Sequence, residues 1–210
     1  MKKEYDTILN ESLVVYEDRK SKFISRAKPV SSEEDAIFFI NSIKEKHRDA
    51  THNVYAYSVE EDGILRKRFT DDGEPSGTSG KPTLEAIDRL NLLNVVVVTT
   101  RYFGGTLLGT AGLIRAYGKS AKLSLEQAKI VKMVYRTKIK VICEYTLLGV
   151  LQNLIEKLGY TIESINYNTD VDMFVLVPQN EVDPFIKKVI NETNDRVLWE
   201  RLEDAYVVEQ

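Results

Sequence analysis

The chain has 210 residues, of which 43% are hydrophobic and 29% are charged, a composition typical of globular proteins and not of disordered ones. No apolar stretch approaches the roughly 20 residues that cross a bilayer, and the polar N-terminal sequence is not that of a secretion signal. The single cysteine, Cys143, excludes an internal disulfide and is typical of a reducing compartment. We therefore expect a soluble, cytoplasmic protein that contacts no membrane.

The net charge of −3 conceals a segregation of charge along the chain. Residues 101–140 carry 9 basic and 1 acidic side chains, whereas residues 141–210 carry 5 basic and 13 acidic ones. Because salt screens charges over about 10 Å, a partner responds to the local patch and not to the total charge. The basic middle predicts an anionic partner, and the acidic C-terminal part leaves open a basic protein partner.

The first part of the chain predicts a mixed arrangement of strands and helices. Two strands flank a polar turn in SLVVYEDRKSKFISRAKPV, and NVYAYSVEEDGILRKRFT predicts a hairpin that turns at EDG. Between them, SSEEDAIFFINSIKEKH predicts a helix with a capping box of Ser31 and Glu34. The predicted buried stripe of this helix consists of Ala36, Ile37, Ile40 and Ile43.

A polar, glycine-rich loop from Asp71 to Lys81 precedes a second predicted helix, which has Pro82 in its first turn. The buried face of that helix is predicted to be Leu84, Ile87 and Leu90. The buried strand VVVVTTRYF and the glycine-rich stretch TTRYFGGTLLGTAG then lead into a third helix. Its predicted core face consists of Ile114, Tyr117, Ala121, Leu125 and Ala128, and its predicted basic face consists of Arg115, Lys119 and Lys122.

From Lys138 onward the pattern predicts a second domain. The segments KIKVICEY, TLLGVLQNLIEKLG, YTIESINYN, DVDMFVLVP, VDPFIKKVINET and RVLWERLED predict the order β-α-β-β-α-β, which is ferredoxin-like. The first strand is predicted to place Cys143 and Tyr145 on its core face, and Gly159 to end the first helix. We therefore predict an α+β protein whose two domains comprise residues 1–134 and 135–210.

Several catalytic signatures are absent from the sequence. TDDGEPSGTSGKPT departs from a P-loop twice, because Pro75 stands at the first glycine and Pro82 replaces the hydroxyl residue that holds Mg²⁺. The glycines of TTRYFGGTLLGTAG do not match the dinucleotide-binding pattern. His47 and His52 lie outside any zinc-protease motif, and Cys143 is expected in the core. The sequence predicts no catalytic set, no metal and no cofactor.

For three acids and one histidine, the sequence leaves two roles open. Asp71, Asp72 and Glu74 either hold a hard cation or cap their own loop through turn hydrogen bonds, and we favour the loop role. His52 is either a structural hydrogen-bonding residue or part of a site near the glycine loops.

The RYFGG stretch raises the question of a phosphate site. Gly104 and Gly105 leave backbone N–H groups unhindered near a helix N-terminus. Arg101 adds a forked donor, and Tyr102 and Phe103 present rings on which bases can stack. The nearby basic face makes RNA the favoured anionic partner.

Two arrangements of this stretch remain open. In the first, both glycine loops border one cleft, and Arg101 and Lys81 bind the same anion. In the second, Arg101 is shielded from solvent and paired with a carboxylate such as Asp72, so that the loop is a packing turn.

The same residues carry a family resemblance. TDDGEPSGTSGKP and VVVVTTRYFGGTLLGTAGLIRAYG, together with KSKFI and ATHNVYAY, resemble the signature of the IMPACT/YigZ family over about residues 15–128, and the C-terminal part is similar to the second domain of bacterial members. The resemblance implies a first domain with a left-handed β-α-β unit similar to domain IV of elongation factor G, a second domain similar to domain V, and a link to the regulation of translation. The family motif falls on Asp71, Asp72, Gly73, Glu74, Pro75, Gly77, Gly80, Lys81, Pro82, Arg101, Tyr102, Gly104, Gly105, Leu108 and Gly109.

Three classes of function follow from these observations. The leading hypothesis is a non-enzymatic, cytoplasmic protein associated with RNA or the ribosome. The second is a hydrolase or transferase that acts on a phosphorylated or peptide-like small molecule. Its cleft would be lined by His52, Asp71, Asp72, Glu74 and Arg101. The third is a protein–protein module whose acidic C-terminal domain binds a basic partner.

Overall fold

A computed structural model describes residues 3–209 of the chain. The chain divides into two compact units, with the boundary between Lys132 and Met133. This boundary differs by two residues from the predicted one. Among residues 3–209, no helix has the length and apolar character needed to cross a membrane.

The first unit contains six strands and three helices. In chain order they are β1 (Glu4–Ile8), β2 (Ser12–Asp18), β3 (Ser21–Pro29), α1 (Glu33–Lys46), β4 (His52–Glu61), β5 (Ile64–Thr70), α2 (Gly80–Arg89), β6 (Val95–Tyr102) and α3 (Gly109–Gln127). Five strands form an antiparallel sheet in the order β2-β3-β6-β4-β5. The predicted hairpin is confirmed, because Asp62 and Gly63 join β4 to β5 with positive φ angles of 52° and 76°, the backbone that two-residue hairpin turns require.

Helices cover both faces of this sheet. Val95 and Val97 of β6 pack in one hydrophobic cluster with residues of α2 and α3, whereas Val96 and Val98 pack in another with residues of α1. The predicted buried strand is therefore confirmed, since side chains alternate between two covered faces.

The two longest helices of the first unit are rotated relative to their predicted faces. In α1, Ile37 is exposed and Phe39 is buried, and the cap is Ser32, whose hydroxyl accepts the Asp35 N–H. The predicted Ser31–Glu34 box is thus wrong by one residue. In α3, Ile114 is exposed and Leu113 is buried instead. Each helix still has one apolar stripe. The packing of the helix against the sheet determines which residues lie at the edges of that stripe.

The second unit contains four strands and two helices. The elements are β7 (Ile130–Cys143), α4 (Leu148–Lys157), β8 (Thr161–Tyr167), β9 (Val171–Pro178), α5 (Val182–Thr193) and β10 (Val197–Val208). β10 pairs with β7, β7 with β9 and β9 with β8, all antiparallel, and the elements follow the predicted β-α-β-β-α-β order. Tyr145 was predicted to lie on the core face of the first strand. Instead, it begins a short 3₁₀ turn after β7 and is exposed. The left-handed β-α-β unit implied for the first domain stays a prediction.

We predict that residues 133–210 fold on their own. Their hydrophobic cluster is made of residues between Ile139 and Val197, so the apolar contacts that stabilise it lie within one unit. The isolated fragment should unfold cooperatively when it is heated and followed by circular dichroism. Leu151→Ala, at a fully buried position, should cost about 2–5 kcal/mol in that fragment. A fragment without a cooperative transition would contradict the prediction.

Candidate functional site

The loop between β5 and α2 is organised by the carboxylate of Asp71. Oδ2 accepts the Gly77 N–H at 2.8 Å, and Oδ1 accepts the N–H groups of Ser79 at 3.1 Å and Gly80 at 2.8 Å. The Ser79 hydroxyl donates to Oδ1 at 2.8 Å. The backbone donors of this glycine-rich loop therefore surround an anion that the chain itself supplies. Burial opposes the charge of Asp71, but these hydrogen bonds outweigh it and lower the pKa of Asp71.

Asp72 connects the same loop to the first residues of β4 through hydrogen bonds. Its Oδ2 accepts the Asn53 N–H at 2.6 Å, and its Oδ1 contacts Lys44 Nζ at 3.0 Å. Its backbone carbonyl accepts Nδ1–H of His52 at 2.8 Å. This last bond orients the imidazole so that Nε2 points away from Asp72, toward Glu74.

Glu74 forms a buried ion pair with Arg101. Arg101 Nη1 donates to Glu74 Oε1 at 2.6 Å, the Tyr117 hydroxyl donates to the same oxygen at 2.7 Å, and His52 Nε2 lies 3.8 Å away. Glu74 is 8% exposed, Arg101 5% and Tyr117 not at all. Burial, followed by the charge and the hydrogen bond of Glu74, raises the pKa of the Tyr117 hydroxyl. We call Glu74, Arg101 and Tyr117 the buried clasp.

The contacts of the buried clasp bear on the two arrangements of Arg101 that the sequence left open, namely anion binding and pairing with a carboxylate. The guanidinium of Arg101 is shielded from solvent and already paired with a carboxylate, and the partner is Glu74 where the sequence suggested Asp72. Lys81, by contrast, is exposed in the first turn of α2. This geometry favours a structural role for Arg101 over contact with a shared solvent anion.

The three acids of the loop have separate partners. Asp71 binds backbone N–H groups, Asp72 binds Asn53 and Lys44, and Glu74 binds Arg101 and Tyr117. Within residues 3–209, no three His, Cys, Asp or Glu side chains are grouped so as to hold a metal ion. Only Asp71 makes the loop hydrogen bonds that were favoured for these acids, whereas Asp72 and Glu74 bind residues outside the loop.

The RYFGG stretch packs tightly against the turn between β2 and β3. A Cβ atom on Gly104 would lie 2.0 Å from the backbone carbon of Lys20, so only glycine allows this approach. The Gly104 N–H donates to the Ser21 hydroxyl at 3.2 Å. Gly105 has a φ of +81°. These two glycines thus serve packing and chain reversal.

The two aromatic residues of this stretch differ in exposure. The Tyr102 hydroxyl donates to Asp49 at 3.1 Å and is hydrogen-bonded to His47 Nδ1 at 2.9 Å. Phe103 is 45% exposed, and its ring lies 5.5 Å from the Arg101 guanidinium carbon. Of the pair, Phe103 is the more exposed ring, since Tyr102 is partly buried.

The predicted basic face of α3 is exposed. Arg115, Lys119 and Lys122, which we call the basic face, have only weak partners. Arg115 lies 3.8 Å from Asp18, Lys122 lies 3.5 Å from Glu126, and Lys119 Nζ lies 4.7 Å from the centre of the Tyr16 ring. Exposed contacts of this kind contribute about 0–1 kcal/mol, so the three cations remain available to a ligand.

Other cations of the basic middle are neutralised within the second unit. Lys138 lies 2.6 Å from Glu163 and 3.7 Å from Glu203, and Lys140 lies 3.0 Å from Asp172. The charge segregation along the chain is therefore only partly preserved in space. The basic face of α3 retains its charge, whereas these lysines of β7 are matched by acids of neighbouring strands.

The polar role of Tyr117 was missed by the sequence analysis, which assigned this residue only to the core of α3. Its ring does pack in the core, against Phe23, but its hydroxyl holds Glu74. The available signal was the hydroxyl itself, because a buried tyrosine hydroxyl needs a hydrogen-bond partner.

We predict that Asp71→Asn lowers the free energy of unfolding by about 1–3 kcal/mol at neutral pH, since charged hydrogen bonds are replaced by weaker ones. The fold lowers the pKa of Asp71. Its contribution is therefore complete above the unfolded pKa of about 3.9 and is lost as the pH falls through the lower folded value. The difference between wild type and variant, measured by urea unfolding, should shrink across this acidic range. Asp183→Asn, at an exposed position of α5, is the control, and a difference independent of pH would contradict the prediction.

We predict that Arg101→Ala costs about 3–5 kcal/mol, because Glu74 is left buried without its cation. Urea unfolding measures the loss, and Arg89→Ala, at an exposed position, should change stability by less than about 0.5 kcal/mol. The double variant Arg101→Met, Glu74→Gln should recover much of the lost stability, since no unpaired charge then remains. Full stability of Arg101→Ala would show that the ion pair is not structural.

Comparisons with known proteins agree with the two units. The family model described as the Impact N-terminal domain matches residues 19–125, and one described as a domain of unknown function (DUF1949) matches residues 141–196. The chain is 38% identical over 177 residues to the IMPACT family member YvyE of Bacillus subtilis, covering 84% of this chain and 81% of that protein.

Two further comparisons extend over nearly the whole chain. An IMPACT family member of Haemophilus influenzae is 33% identical over 199 residues, which is 93% of this chain and 97% of that protein. The crystal structure of a hypothetical protein has a TM-score of 0.63 at 30% identity, over 97% of this chain and 99% of that one. On the strength of the matched domain model and of these relatives, the chain belongs to the IMPACT family.

Proposed function

We propose that the protein is a non-enzymatic, cytoplasmic protein that associates with RNA or the ribosome and takes part in the regulation of translation. The observation that carries this proposal is the basic face of α3, three cations that remain exposed. The link to translation rests on the family resemblance. Exposed lysine and arginine side chains of this kind are the groups that contact the phosphates of nucleic acids.

The turn between β2 and β3 extends the positive surface. Arg19 and Lys20 are exposed in this turn, and Arg19 Nη1 donates to the Leu107 carbonyl at 3.3 Å. Lys20 lies against Gly104. The turn is therefore adjacent to the loop that leads into α3, and its cations add to the field that attracts a polyanion.

The loop before α3 adds apolar contacts to this surface. Phe103 is 45% and Leu107 80% exposed. An exposed aromatic ring beside cations suits single-stranded nucleic acid, because every base can stack on it without sequence preference. The same surface thus provides both charge and stacking.

The enzyme alternative has less support in the geometry. The acids proposed for the cleft are bound by loop N–H groups, by Lys44 and by Arg101, and Nδ1 of His52 is committed to a backbone carbonyl. Residues engaged in this way stabilise the loop, and a substrate would have to displace those contacts.

We predict that replacing all three residues of the basic face by Gln weakens RNA binding and leaves the fold intact. Each lost phosphate contact should reduce the slope of log K against log salt by about 0.7 for single strands. The three substitutions together should therefore reduce that slope by about 2. The measurement is fluorescence anisotropy with a labelled single-stranded RNA of mixed sequence over a salt series, followed by co-sedimentation with purified ribosomes.

A matched control changes three exposed lysines of the second unit, Lys157, Lys187 and Lys188, to Gln. It alters the net charge by the same amount but leaves the basic face intact. Equal losses in both triple variants would mean that net charge, and not this surface, governs binding. Absence of binding by the wild-type protein to both RNA and ribosomes would overturn the proposed function.

A further inference from the structure

Strand β8 forms an exposed edge of the sheet in the second unit. Among the described residues it pairs with β9 on one side only, so its other side presents unpaired backbone N–H and C=O groups. Proteins protect such edges with lysine, proline, other charges or a bulge. The edge strand β5 of the first unit carries Arg66, Lys67 and Arg68 in succession. β8 has a bulge at Glu163 but contains no lysine or proline, and residues 164–167 pair regularly with β9, so this part of its edge is open to another strand.

A groove of about 570 Å³ lies beside this edge, between α4 and β8. Its helix side is formed by residues at the i, i+3, i+4 and i+7 positions of one helix face, namely Gly149, Gln152, Asn153 and Glu156. At a rise of about 1.5 Å per residue, this face runs for about 10 Å along the helix. The strand side is formed by residues 160–162, where β8 begins. The groove therefore has the length of about three residues of an extended chain.

Gly149 leaves one end of this groove open. Glycine within a helix is destabilising relative to alanine, so its presence in the first turn of α4 calls for a reason. Its φ angle is not among the positive ones of the described chain, and a Cβ atom at this position would meet nothing within 4 Å. Neither the backbone conformation nor the packing of the described residues therefore requires glycine here. The space beside Gly149 is available to a side chain of a bound segment.

The charge of the groove indicates a basic occupant. Glu156 is the only charged side chain that lines the groove, and it is exposed. Glu163 of β8, by contrast, is paired with Lys138 at 2.6 Å. The surrounding sequence adds to the negative field, since residues 141–210 carry 5 basic and 13 acidic side chains. An extended segment that carries lysine or arginine side chains is therefore complementary to the groove.

We propose that an extended, basic segment of another protein binds as a strand added to β8 and places side chains in the groove. The backbone of such a segment supplies the hydrogen-bond partners that the outer edge of β8 lacks. Because successive side chains of a strand point to opposite faces, every second one enters the groove, where Glu156 favours a cation. At the other end of β8, the exposed rings of Tyr145 and Tyr167 stack with their centres 6.4 Å apart and offer apolar contact.

This docking site is separate from the proposed RNA-binding surface. The basic face lies on α3 of the first unit, whereas α4 and β8 belong to the second unit. The acidic character of the groove disfavours phosphate groups, which the basic face attracts. The inference therefore stands whether or not the protein binds RNA, and different variants test the two proposals.

The probe is a fluorescent peptide of about eight alternating lysine and threonine residues, the length of a typical strand, and its binding to the full chain is followed by anisotropy. A lysine–proline repeat of equal charge is the matched control, because proline removes N–H donors and is excluded from regular sheets. A glutamate–threonine repeat controls for the sign of the charge. Wild type should bind the lysine–threonine peptide at least tenfold more tightly than either control, and hydrogen exchange of the β8 amides should slow on binding.

Gly149→Leu tests the groove itself. The added side chain fills the space beside α4, so the affinity for the lysine–threonine peptide should fall at least tenfold. The melting temperature should not fall, since leucine favours a helix more than glycine does. Val150→Leu, at an exposed position of the same helix outside the groove, should leave the affinity unchanged. Glu156→Gln should weaken binding and reduce its dependence on salt.

Three results would overturn the proposal. Wild type binds the lysine–proline repeat as tightly as the lysine–threonine peptide, or it binds neither, or Gly149→Leu retains full affinity. Sedimentation equilibrium distinguishes another occupant of the same edge. A wild-type dimer that Gly149→Leu dissociates would assign the edge to a second copy of this chain, and this result would also overturn the proposal.

Discussion

The ion pair between Glu74 and Arg101 is the constraint on which the glycine-rich region depends. It joins the loop before α2 to the end of β6, and Tyr117 extends the connection to α3. All three groups are buried, so the pair lies where the dielectric constant is low and where either partner alone would be strongly destabilising. The loop, the strand and the helix are therefore positioned together.

The N–H groups of the glycine-rich loop before α2 find their hydrogen-bond acceptor within the chain. A glycine-rich loop at a helix N-terminus exposes several N–H groups, which attract phosphate in many proteins. Here the carboxylate of Asp71 accepts those groups. The loop N–H groups are thus occupied by a carboxylate of the chain itself, whereas exposed cations of α3 are not held by strong partners.

Arginines in this fold illustrate how environment determines the role of one side chain. Arg101 is buried and paired, so it stabilises. Arg115 is exposed and weakly paired, so it is free to bind a partner. Arg26 is buried, and its Nη1 atom has no hydrogen-bond partner among the described residues. Residue type alone does not distinguish these three cases, because burial and partner are set by the sheet and its covering helices.

Local pattern determined most of the elements of this protein. Hydrophobic periodicity and turn residues placed the strands, the hairpin at Asp62 and Gly63, and the basic face of α3, because these features depend on neighbours in the sequence. The order of elements in the second unit followed from the same signals. The edges of the buried helix faces could not be predicted in this way, as the exposed Ile37 and Ile114 show. The angle at which a helix packs on the sheet is set by tertiary packing.

Partner choice among distant charges was decided only by tertiary structure. The sequence suggested Asp72 as a partner of Arg101, but spacing gave no means of telling which of the three loop acids meets that arginine. The fold brings Glu74, 27 positions away in the sequence, to Arg101. Ion pairs of this kind depend on the register of strands and on the path of a loop, which no local sequence pattern records. They determine whether a charged side chain is held in a packing contact or stays free to bind a ligand.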